Sequence, residues 1–277
     1  MKEIFDHYLN HPLVAQLKQK LEEDIPQEIE VKGLSGSAAS FSSTALFSLS
    51  EKPLLIVLPE KEEAAYFLND VESLLGEKDV FFYPASYRRP YEIEQTDNAN
   101  VLLRAEVLNR INSRKKPAVI VSYADALFEQ VVTRKELNQN TLNLSEGEKI
   151  SLDFLNETLF EYQFERVDYV TQAGYFSVRG GIVDVYSFAH NLPYRIEFYG
   201  DEVDSIRTFD VETQLSIDRV RKMQILPNLE DKKLLESRES FLEYLPSNCW
   251  VWMRESDRVY AQLDSLFEKS KEAYLKL

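Results

Sequence analysis

Cysteine and histidine are scarce in this sequence, and their scarcity limits the chemistry that it can carry. Cys249 is the single cysteine of the 277 residues, so the chain has neither a disulfide framework nor a cluster of thiolates that holds a metal. The histidines, His7, His11 and His190, show no spacing to Asp, Glu or Cys residues that is typical of zinc ligands. We therefore expect no resident metal or cofactor, and a reducing, cytoplasmic setting.

Long apolar runs and an excess of basic residues are also absent. No run of about 18 apolar residues occurs, and the start, MKEIFDHYLNHPLV, lacks the apolar segment of a secretion signal, so the sequence predicts a soluble protein without a membrane partner. The 47 acidic and 32 basic residues give a net charge of −15, which opposes sequence-independent attraction to a nucleic-acid backbone. The basic run Arg110–Lys116 leaves residual DNA contact open, and a charged helix end is its alternative explanation.

The remaining composition is that of a folded protein. Hydrophobic residues make up 44% of the 277 residues, and a chain of this length is longer than one typical domain, so we expect two or three compact units. In the first half, apolar runs alternate with amphipathic segments. The pattern predicts strands over 53–59, 79–86 and 117–123 and helices over 3–23, 60–76 and 97–113. Such alternation predicts a parallel sheet that is covered on both faces.

The pattern changes after about residue 128. A short strand and a helix are predicted over 145–163. From 164 to 209, aromatic and β-branched residues alternate with polar ones between glycine and proline turns, which predicts an antiparallel sheet in an α+β region. From Ile217 the sequence is interpreted as helical and charged, apart from a buried strand over 248–256. The last residues, EAYLKL, stop inside a helical pattern without a cap, so we expect a fragment of a longer protein.

The stretch KGLSGSAASF, residues 32–41, partly follows the phosphate-binding pattern G-x-x-x-x-G-K-[S/T]. Ala38 and Ala39 stand where a glycine and the lysine belong. Ala39 supplies no charge for a phosphate, and the Cβ of Ala38 penalises the positive φ that a glycine would permit there. We interpret the stretch as a degenerate nucleotide loop, and a small-residue turn that caps a helix is the alternative. The loop comprises Gly33, Gly36, Ser37, Ala38, Ala39 and Ser40.

A second partial motif is VWMRES, residues 251–256. Helicase-type ATPases end a buried strand with an acidic pair, in which one carboxylate acts on Mg²⁺ and the other on the attacking water. Here Arg254 takes the first acidic position and Glu255 the second. Because an arginine repels Mg²⁺, the two damaged motifs together indicate a lost ATPase. An ordinary strand that ends in charged residues is the alternative.

One longer segment is specific. The residues GYFSVRGGIVDVYSFAHNLPYRIEFYGDEVDSIRTFDVETQLS, 174–216, closely resemble the signature of the bacterial transcription-repair coupling factors, the Mfd family, in their amino-terminal UvrB-like module. The preceding FERVDYVTQAG and the upstream FYPASYRRPYEIEQTDNANVLLRAEVL are similar to the same family. The resemblance therefore covers essentially the whole chain.

The resemblance implies an α/β fold in which a degenerate helicase-like domain, of the P-loop NTPase type and with a parallel sheet, is split by an inserted α+β domain with an antiparallel sheet. It implies a first helicase-like half over 1–127, the inserted domain over 128–211 and a second half over 212–277. In the related helicase UvrB, a long aromatic hairpin that probes lesions lies near the segment that is 87–100 here. This segment is too short to hold that hairpin, so the resemblance implies that lesion probing is lost.

In UvrB the inserted domain docks onto the damage sensor UvrA, and the resemblance implies the same partner here. Arg166 matches an arginine that precedes the sheet. Arg179 ends the stretch that reads F-R-V-R in UvrB, in which Ser177 departs from the first arginine and removes one ionic contact. Tyr186 stands where relatives often carry phenylalanine, and it can supply an aromatic anchor. The predicted UvrA-binding set is Arg166, Tyr175, Ser177, Arg179 and Tyr186.

The residues around Arg179 also predict an exposed arginine without reference to the family. If this segment is one continuous strand, alternate residues point to the same face, and Arg179 lies on the face of Ser177, Val183 and Val185. We then expect its guanidinium at the edge of the core, where it can reach a carboxylate of a partner. An ordinary intramolecular pair, for instance with Glu165 or Asp168, is the alternative.

Together these observations predict a non-enzymatic adaptor of transcription-coupled nucleotide excision repair that recruits UvrA to RNA polymerase stalled at DNA lesions. The resemblance implies that contacts with RNA polymerase and DNA, and an ATP- and Mg²⁺-dependent translocase, belong to parts of the intact protein outside this chain. It also implies that the carboxyl-terminal part of the intact protein masks the UvrA surface. An active ATP-dependent DNA helicase or a UvrB-type damage-verification protein is the alternative.

Overall fold

A computed structural model describes residues 2–23, 28–86, 98–113, 116–229 and 238–275. The helices of this part are α1 (Lys2–Leu9), α2 (Pro12–Leu21), α3 (Ala38–Ser50), α4 (Lys61–Leu75), α5 (Asn98–Ser113), α6 (Ala124–Phe128), α7 (Arg134–Gln139), α8 (Leu152–Glu161), α9 (Phe241–Tyr244) and α10 (Ser256–Tyr274). Its strands are β1 (Leu54–Leu58), β2 (Val80–Tyr83), β3 (Val119–Tyr123), β4 (Val131–Val132), β5 (Leu142–Ser145), β6 (Glu165–Arg166), β7 (Tyr175–Arg179), β8 (Ile182–Val185), β9 (Tyr194–Tyr199), β10 (Glu202–Phe209), β11 (Ser216–Val220), β12 (Lys222–Ile225), β13 (Arg238–Glu239) and β14 (Trp250–Met253).

The chain divides into two compact units. The first contains Met1–Ala85, Ser113–Glu129 and Phe241–Leu277, and the second contains Ser86–Asn112 and Gln130–Ser240. The mixed α/β architecture with one parallel and one antiparallel sheet agrees with the predicted fold class. The three predicted segments, 1–127, 128–211 and 212–277, stay a prediction. Among the described residues, no helix combines the length and the apolar character that crossing a bilayer requires.

The first unit contains a four-stranded parallel sheet in the order β14-β1-β3-β2. Strands β1 and β3 are buried along their whole length, and their register pairs Leu54 with Val119 and Leu58 with Tyr123. Their continuous apolar runs suit this position because both faces of a parallel sheet are covered. The strands predicted over 53–59, 79–86 and 117–123 are confirmed.

The first helical segment is interrupted. The sequence predicts one helix over 3–23, whereas α1 ends at Leu9 and α2 begins at Pro12. Proline disfavours the helical conformation for the residue before it, and it has no N–H for a helix interior. His11 is extended, with φ −74° and ψ 127°, and its Nδ1 accepts a hydrogen bond from the Leu13 N–H at 3.2 Å. The prediction of one continuous helix is therefore wrong at this point.

The second unit contains a six-stranded sheet in the order β11-β10-β9-β8-β7-β6. Neighbouring strands are antiparallel except β6 and β7, which are parallel. The pairing register puts Phe176, Val183 and Ile196 on one face, where all three are buried. The Phe160 ring of α8 packs edge-to-face on Phe176, with 5.2 Å between the ring centroids. The antiparallel sheet predicted over 164–209 is confirmed, with the β6–β7 pair as its exception.

Two predictions for the last part of the chain are wrong. The segment from Ser216 to Ile225 forms strands β11 and β12, because β10 and β5 supply their pairing partners. The strand predicted within 248–256 exists as β14, but it lies at an edge of the sheet as described, and Val251 is 53% exposed. Helix α10 follows it, from Ser256 to Tyr274.

We predict that Gly180→Ala destabilises the turn between β7 and β8. Gly180 has a φ of +61°, in the left-handed region that an L side chain rarely adopts. The substitution should lower the free energy of unfolding by about 1 kcal/mol, as measured by urea denaturation. Thr171→Ala, at an exposed site outside regular structure, is the control and should change the stability by less than about 0.5 kcal/mol. Equal stability of the two variants would contradict the prediction.

Candidate functional site

The turn between β7 and β8 decides which side chains share a face. The register pairs Arg179 with Ile182 and Ser177 with Asp184, so Ser177, Arg179 and Asp184 lie on one face of the hairpin. Val183 and Val185 lie on the opposite, buried face with Phe176. The prediction that Arg179 shares a face with these valines is therefore wrong. Its assumption of a continuous strand fails because the chain reverses at Gly180 and Gly181.

Asp184 is a buried carboxylate held by two arginines. The residue is 1% exposed. Its Oδ1 accepts a hydrogen bond from Arg195 Nε at 2.7 Å, and its Oδ2 accepts one from Arg195 Nη2 at 2.9 Å. Arg179 Nη2 donates to the same Oδ2. A buried carboxylate without such partners is strongly destabilising, so the two guanidiniums account for its presence here.

Arg195 is the more enclosed of the two arginines. Its side chain is 17% exposed, and it donates from Nη1 to the Gln214 carbonyl at 3.1 Å. Its Cζ lies 4.6 Å from the centroid of the Phe209 ring, in the range of a cation–π contact. The hydrogen bonds to Asp184 raise the pKa of the Arg195 guanidinium above its ordinary value. Arg195 is thus a fixed, permanently charged part of the sheet face.

Arg179 is more exposed and less completely bonded. Its side chain is 42% exposed, Nη1 donates to the Asp168 carbonyl at 3.3 Å, and Cζ lies 6.0 Å from the centroid of the Tyr169 ring. Arg179 therefore does form an intramolecular ion pair, which was the alternative interpretation of the sequence, but the pair uses only part of the guanidinium. The carboxylate is that of Asp184, and neither Glu165 nor the Asp168 side chain provides it. A guanidinium has five N–H donors, so Arg179 retains donors for a further acceptor.

A surface cavity of about 650 Å³ lies beside Arg179 and is called the arginine cavity below. Arg166 is exposed, and it makes no hydrogen bond or ion pair with the described residues. Ser177 is 2% exposed, and its hydroxyl donates to the Asp168 carbonyl at 3.2 Å. The structure thus brings together three of the five predicted partner-binding residues. The arginine cavity is lined by Arg166, Val167, Asp168, Tyr169, Ser177, Val178 and Arg179.

Tyr175 and Tyr186 do not line this cavity. Tyr175 is half-buried and pairs with Glu165 across the parallel β6–β7 contact. The Tyr186 hydroxyl donates to the Asn191 carbonyl at 2.7 Å, and burial raises the pKa of Tyr186. A role for either tyrosine in partner binding stays a prediction.

The last hydroxyl of the predicted nucleotide loop is bonded within the protein. Gly33 and Gly36 have positive φ, whereas Ala38 is the first residue of α3, so the expected steric penalty at Ala38 does not occur. The Ser40 hydroxyl lies 2.7 Å from Asp70 Oδ2 and 2.8 Å from the Ser37 carbonyl. An ionised Asp70 can only accept, so the Ser40 hydroxyl donates its proton inside the chain.

The predicted acidic box lies at the carboxyl ends of two parallel strands. Glu60 follows β1 and Glu255 follows β14, and the parallel pairing of these strands brings both to the same edge. Arg258 joins them. It donates to Glu60 Oε1 at 2.8 Å, to Glu63 Oε1 at 3.0 Å and to Glu255 Oε2 at 2.8 Å. These interactions, of which the hydrogen bond to Glu255 is the largest, raise the pKa of the Arg258 guanidinium. Arg254 Nε also lies 3.8 Å from Glu255 Oε1. Two cations among three carboxylates leave one net negative charge, which opposes a polyphosphate.

A cleft of about 780 Å³ adjoins this edge. Ala39, Arg254 and Glu255 line it, but the other residues of the predicted loop do not. Glu255 itself has a φ of +50°, and the Arg254 N–H donates to the Val57 carbonyl at 3.0 Å. In the described part of the chain, no group of three or more His, Cys, Asp and Glu side chains has a geometry that could hold a metal ion.

Two regions that the sequence singles out fall partly outside the described residues. The segment 87–100, which matches the place of the UvrB hairpin, is described only from residue 98, and the basic run Arg110–Lys116 includes residues 114 and 115, which are not described. Contact between that run and DNA stays a prediction.

Comparison with known proteins identifies the class of the site. Residues 142–230 match the UvrB interaction domain, and this segment contains the arginine cavity and both arginines that hold Asp184. This segment of the chain is therefore similar to a protein-interaction domain of the UvrB type.

The wider similarity is to a particular kind of repair protein. The transcription-repair-coupling factor of Bacillus subtilis is 32% identical over 210 residues, which cover 76% of this chain and 18% of that protein. That of Haemophilus influenzae is 26% identical over 87% of this chain and 21% of its own length. The UvrABC system protein B of Thermosipho africanus is 25% identical over 83% of this chain and 37% of its length. The chain thus spans about a fifth of the length of each of these two coupling factors, and the predicted resemblance is confirmed.

Three residues of the site were not found from the sequence. Tyr169 is 65% exposed beside Arg179, and Asp184 and Arg195 complete the buried charge cluster. The sequence could have indicated Asp184, because the glycines at 180 and 181 predict a two-residue hairpin turn, and such a turn places residue 184 opposite residue 177. No local pattern indicates Tyr169, whose position depends on how the chain enters β7.

We predict that Arg258→Gln lowers the melting temperature more at low salt than at high salt. The variant leaves Glu60, Glu63 and Glu255 without their shared cation, and their mutual repulsion is screened by salt. Lys271→Gln is the matched control on the same helix, because Lys271 forms a single exposed pair with Glu268 at 3.4 Å. Thermal unfolding at two salt concentrations measures the difference. A shift that is independent of salt would contradict the role assigned to Arg258.

Proposed function

We propose that this chain is a non-catalytic adaptor in transcription-coupled nucleotide excision repair and that it binds UvrA through the arginine cavity. The cavity lies within the segment that matches the UvrB interaction domain. The relatives named as transcription-repair-coupling factors and as UvrABC system protein B support a role in this pathway. In the intact protein, the adaptor would recruit UvrA to RNA polymerase stalled at DNA lesions.

The arrangement of Arg166 and Arg179 around one cavity is the observation that carries the proposal. Both contribute to a concave surface, Arg166 makes no hydrogen bond or ion pair with the described residues, and Arg179 keeps unused donors. Arginine forms two parallel hydrogen bonds with a carboxylate, so a pair of arginines at a cavity suits acidic side chains of a protein partner. The exposed Tyr169 ring adds an aromatic surface of the kind that is enriched at interfaces.

The charge balance of the chain favours a protein partner over DNA. The net charge of −15 repels a nucleic-acid backbone at long range, while the arginine cavity attracts a limited acidic surface. Retardation of duplex DNA by the chain at physiological salt would favour a DNA-binding module instead.

We propose further that the first unit is a helicase-like scaffold without ATPase activity. Ala39 offers no charge to a phosphate, and the Ser40 hydroxyl is hydrogen-bonded to Asp70 within the protein. At the carboxyl ends of β1 and β14, Arg258 forms ion pairs with Glu60 and Glu255. Ligands of open α/β sheets bind at this edge, so its occupation by an internal ion cluster argues against nucleotide binding. From the resemblance, the helicase-like halves are proposed at 1–127 and 212–277 and the inserted domain at 128–211. These bounds differ from those of the compact units, because residues 86–112 and 212–240 belong to the second unit.

Several properties of the intact protein are proposals from the resemblance alone. They are the binding of RNA polymerase and DNA, an ATP- and Mg²⁺-dependent translocase, masking of the UvrA surface by the carboxyl-terminal part, and a cytoplasmic location. The chain covers 18% of the coupling factor of Bacillus subtilis. We propose that the first three properties depend on segments of the intact protein beyond the match.

We predict that Arg166→Ala and Arg179→Ala each weaken UvrA binding by about 1–3 kcal/mol and that the double variant abolishes pull-down. The fold should persist, because Asp184 keeps its two hydrogen bonds from Arg195 in the Arg179 variant. Arg219→Ala is the control, since Arg219 is an exposed arginine on β11, at the far edge of the same sheet, and pairs with Glu146. Affinity is measured by calorimetry and folding by the melting temperature. Binding by the double variant at the level of the control would contradict the site assignment.

We also predict that the chain does not bind ATP with Mg²⁺ at a Kd below about 1 mM, because the cleft lacks the lysine and its edge is negative. Isothermal titration calorimetry measures this, with a UvrB protein as the positive control. Measurable binding, or ATP hydrolysis that Arg258→Gln alters, would favour the helicase alternative.

A further inference from the structure

We infer that Asp184 is a positioning residue for Arg179 and that Arg195 offsets the charge of Asp184, so that Arg179 remains available to an acidic partner. The inference rests on the proposed function, since it concerns how the arginine cavity meets its partner. Neither Asp184 nor Arg195 lines the cavity, so both would act through Arg179.

The first step of the argument is the charge of the cluster. Arg195 binds both oxygens of Asp184 side-on, and this pair alone is neutral. Arg179 adds a second positive charge to the same carboxylate. The three side chains together therefore carry one net positive charge, and that charge lies nearest the surface on Arg179, whose side chain is 42% exposed against 17% for Arg195. A simple Arg179–Asp184 pair would have no net charge to offer.

The second step is geometry. Arg179 uses one donor on Asp184 and one on the Asp168 carbonyl, and the Tyr169 ring lies 6.0 Å from its Cζ. The guanidinium is thus held from two sides, while its other three N–H groups have no partner among the described residues. An arginine that is ordered before binding loses less side-chain entropy when it pairs with a carboxylate.

The third step is the rigidity of the support. Asp184 is 1% exposed on the central strand of the β7-β8-β9 group, and Arg195 is fixed by Gln214 and Phe209. The anchor of Arg179 is therefore part of the sheet and does not move with the loop that carries Tyr169. Arg179 therefore has less freedom to change rotamer than an arginine in an ordinary exposed ion pair.

A double-mutant cycle tests the inference. Asp184→Asn keeps the shape of the side chain and raises the net charge of the cluster from one to two, so weaker binding would report lost positioning of Arg179 and not lost charge. We expect it to weaken UvrA binding about fivefold to twentyfold. In an Arg179→Ala background, the same substitution should change the affinity less than about twofold, because Asp184 acts through Arg179. Equal losses in the two backgrounds, or no loss in either, would overturn the inference.

Glu197→Gln is the matched control. Glu197 lies on the same face of the sheet, in register with Ile182, and accepts hydrogen bonds from Arg207 at 3.0 and 3.1 Å and from Ser205 at 2.8 Å. Its substitution breaks a carboxylate–arginine pair of the same kind away from the arginine cavity, so the affinity for UvrA should not change. A loss of affinity as large as that of Asp184→Asn would assign both effects to general damage of the sheet and overturn the inference.

A second variant covers the case in which Asp184→Asn does not fold. Arg195→Gln leaves Asp184 to Arg179 alone and makes the cluster neutral, so UvrA binding should weaken at low salt and the difference from the unmodified chain should shrink at high salt. Unchanged affinity at low salt would overturn the inference.

A measurement without the partner separates this inference from the proposed function. If the unmodified chain does not bind UvrA, the proposed function fails, and NMR signals of the Arg179 guanidinium still report its positioning. Rotation about the Arg179 Nε–Cζ bond should be slow in the unmodified chain and fast in the double variant that combines Arg195→Gln and Asp184→Asn. The same rate in both proteins would overturn the positioning role.

Discussion

A carboxylate that is removed from water has to be neutralised, and the antiparallel sheet is arranged around that requirement at Asp184. The residue lies on β8, and its two arginines come from the strands on either side, β7 and β9. A slip of one residue in either pairing would move these charges to the face that buries Phe176 and Val183. The ion cluster and the apolar core therefore specify the same register from opposite faces of the sheet.

The parallel sheet of the first unit also brings carboxylates and arginine together, but the charge that remains has the opposite sign. Its carboxyl-end edge collects Glu60, Glu63 and Glu255 around Arg258, and the guanidinium bonds to all three. In the antiparallel sheet, two cations share one carboxylate and positive charge remains for a partner. In the parallel sheet, Arg258 bonds to three carboxylates and Arg254 pairs with one of them, so negative charge is in excess at the edge. The same kind of bond thus leaves net positive charge in one unit and net negative charge in the other.

Much of this organisation could be predicted from local pattern. Continuous apolar runs indicated β1 and β3, and alternation with glycine turns indicated β7 to β10. Pairing partners distant in sequence could not be predicted in this way, which is why β12, the partner of β5, was interpreted as helical and β14, the partner of β1, as buried. The neighbouring strand β11 was missed although it pairs with the adjacent β10. Arg166 was found through the family resemblance. The exposure of Arg179 was also predicted from strand alternation, but with the wrong face, because the turn at Gly180 and Gly181 reverses the chain. The glycine turn could have placed Asp184 opposite Ser177, but its contact with Arg195 required the register between β8 and β9.

The Arg258 cluster has a consequence for how the module responds to its surroundings. A metal ion or a nucleotide exchanges with solution, so a site that depends on one changes with its concentration. Arg258 is covalently part of α10 and cannot dissociate from Glu60 and Glu255 into solution. The positive charge among these carboxylates is therefore supplied by the chain itself, and its presence at this edge does not depend on the concentration of a dissolved ion.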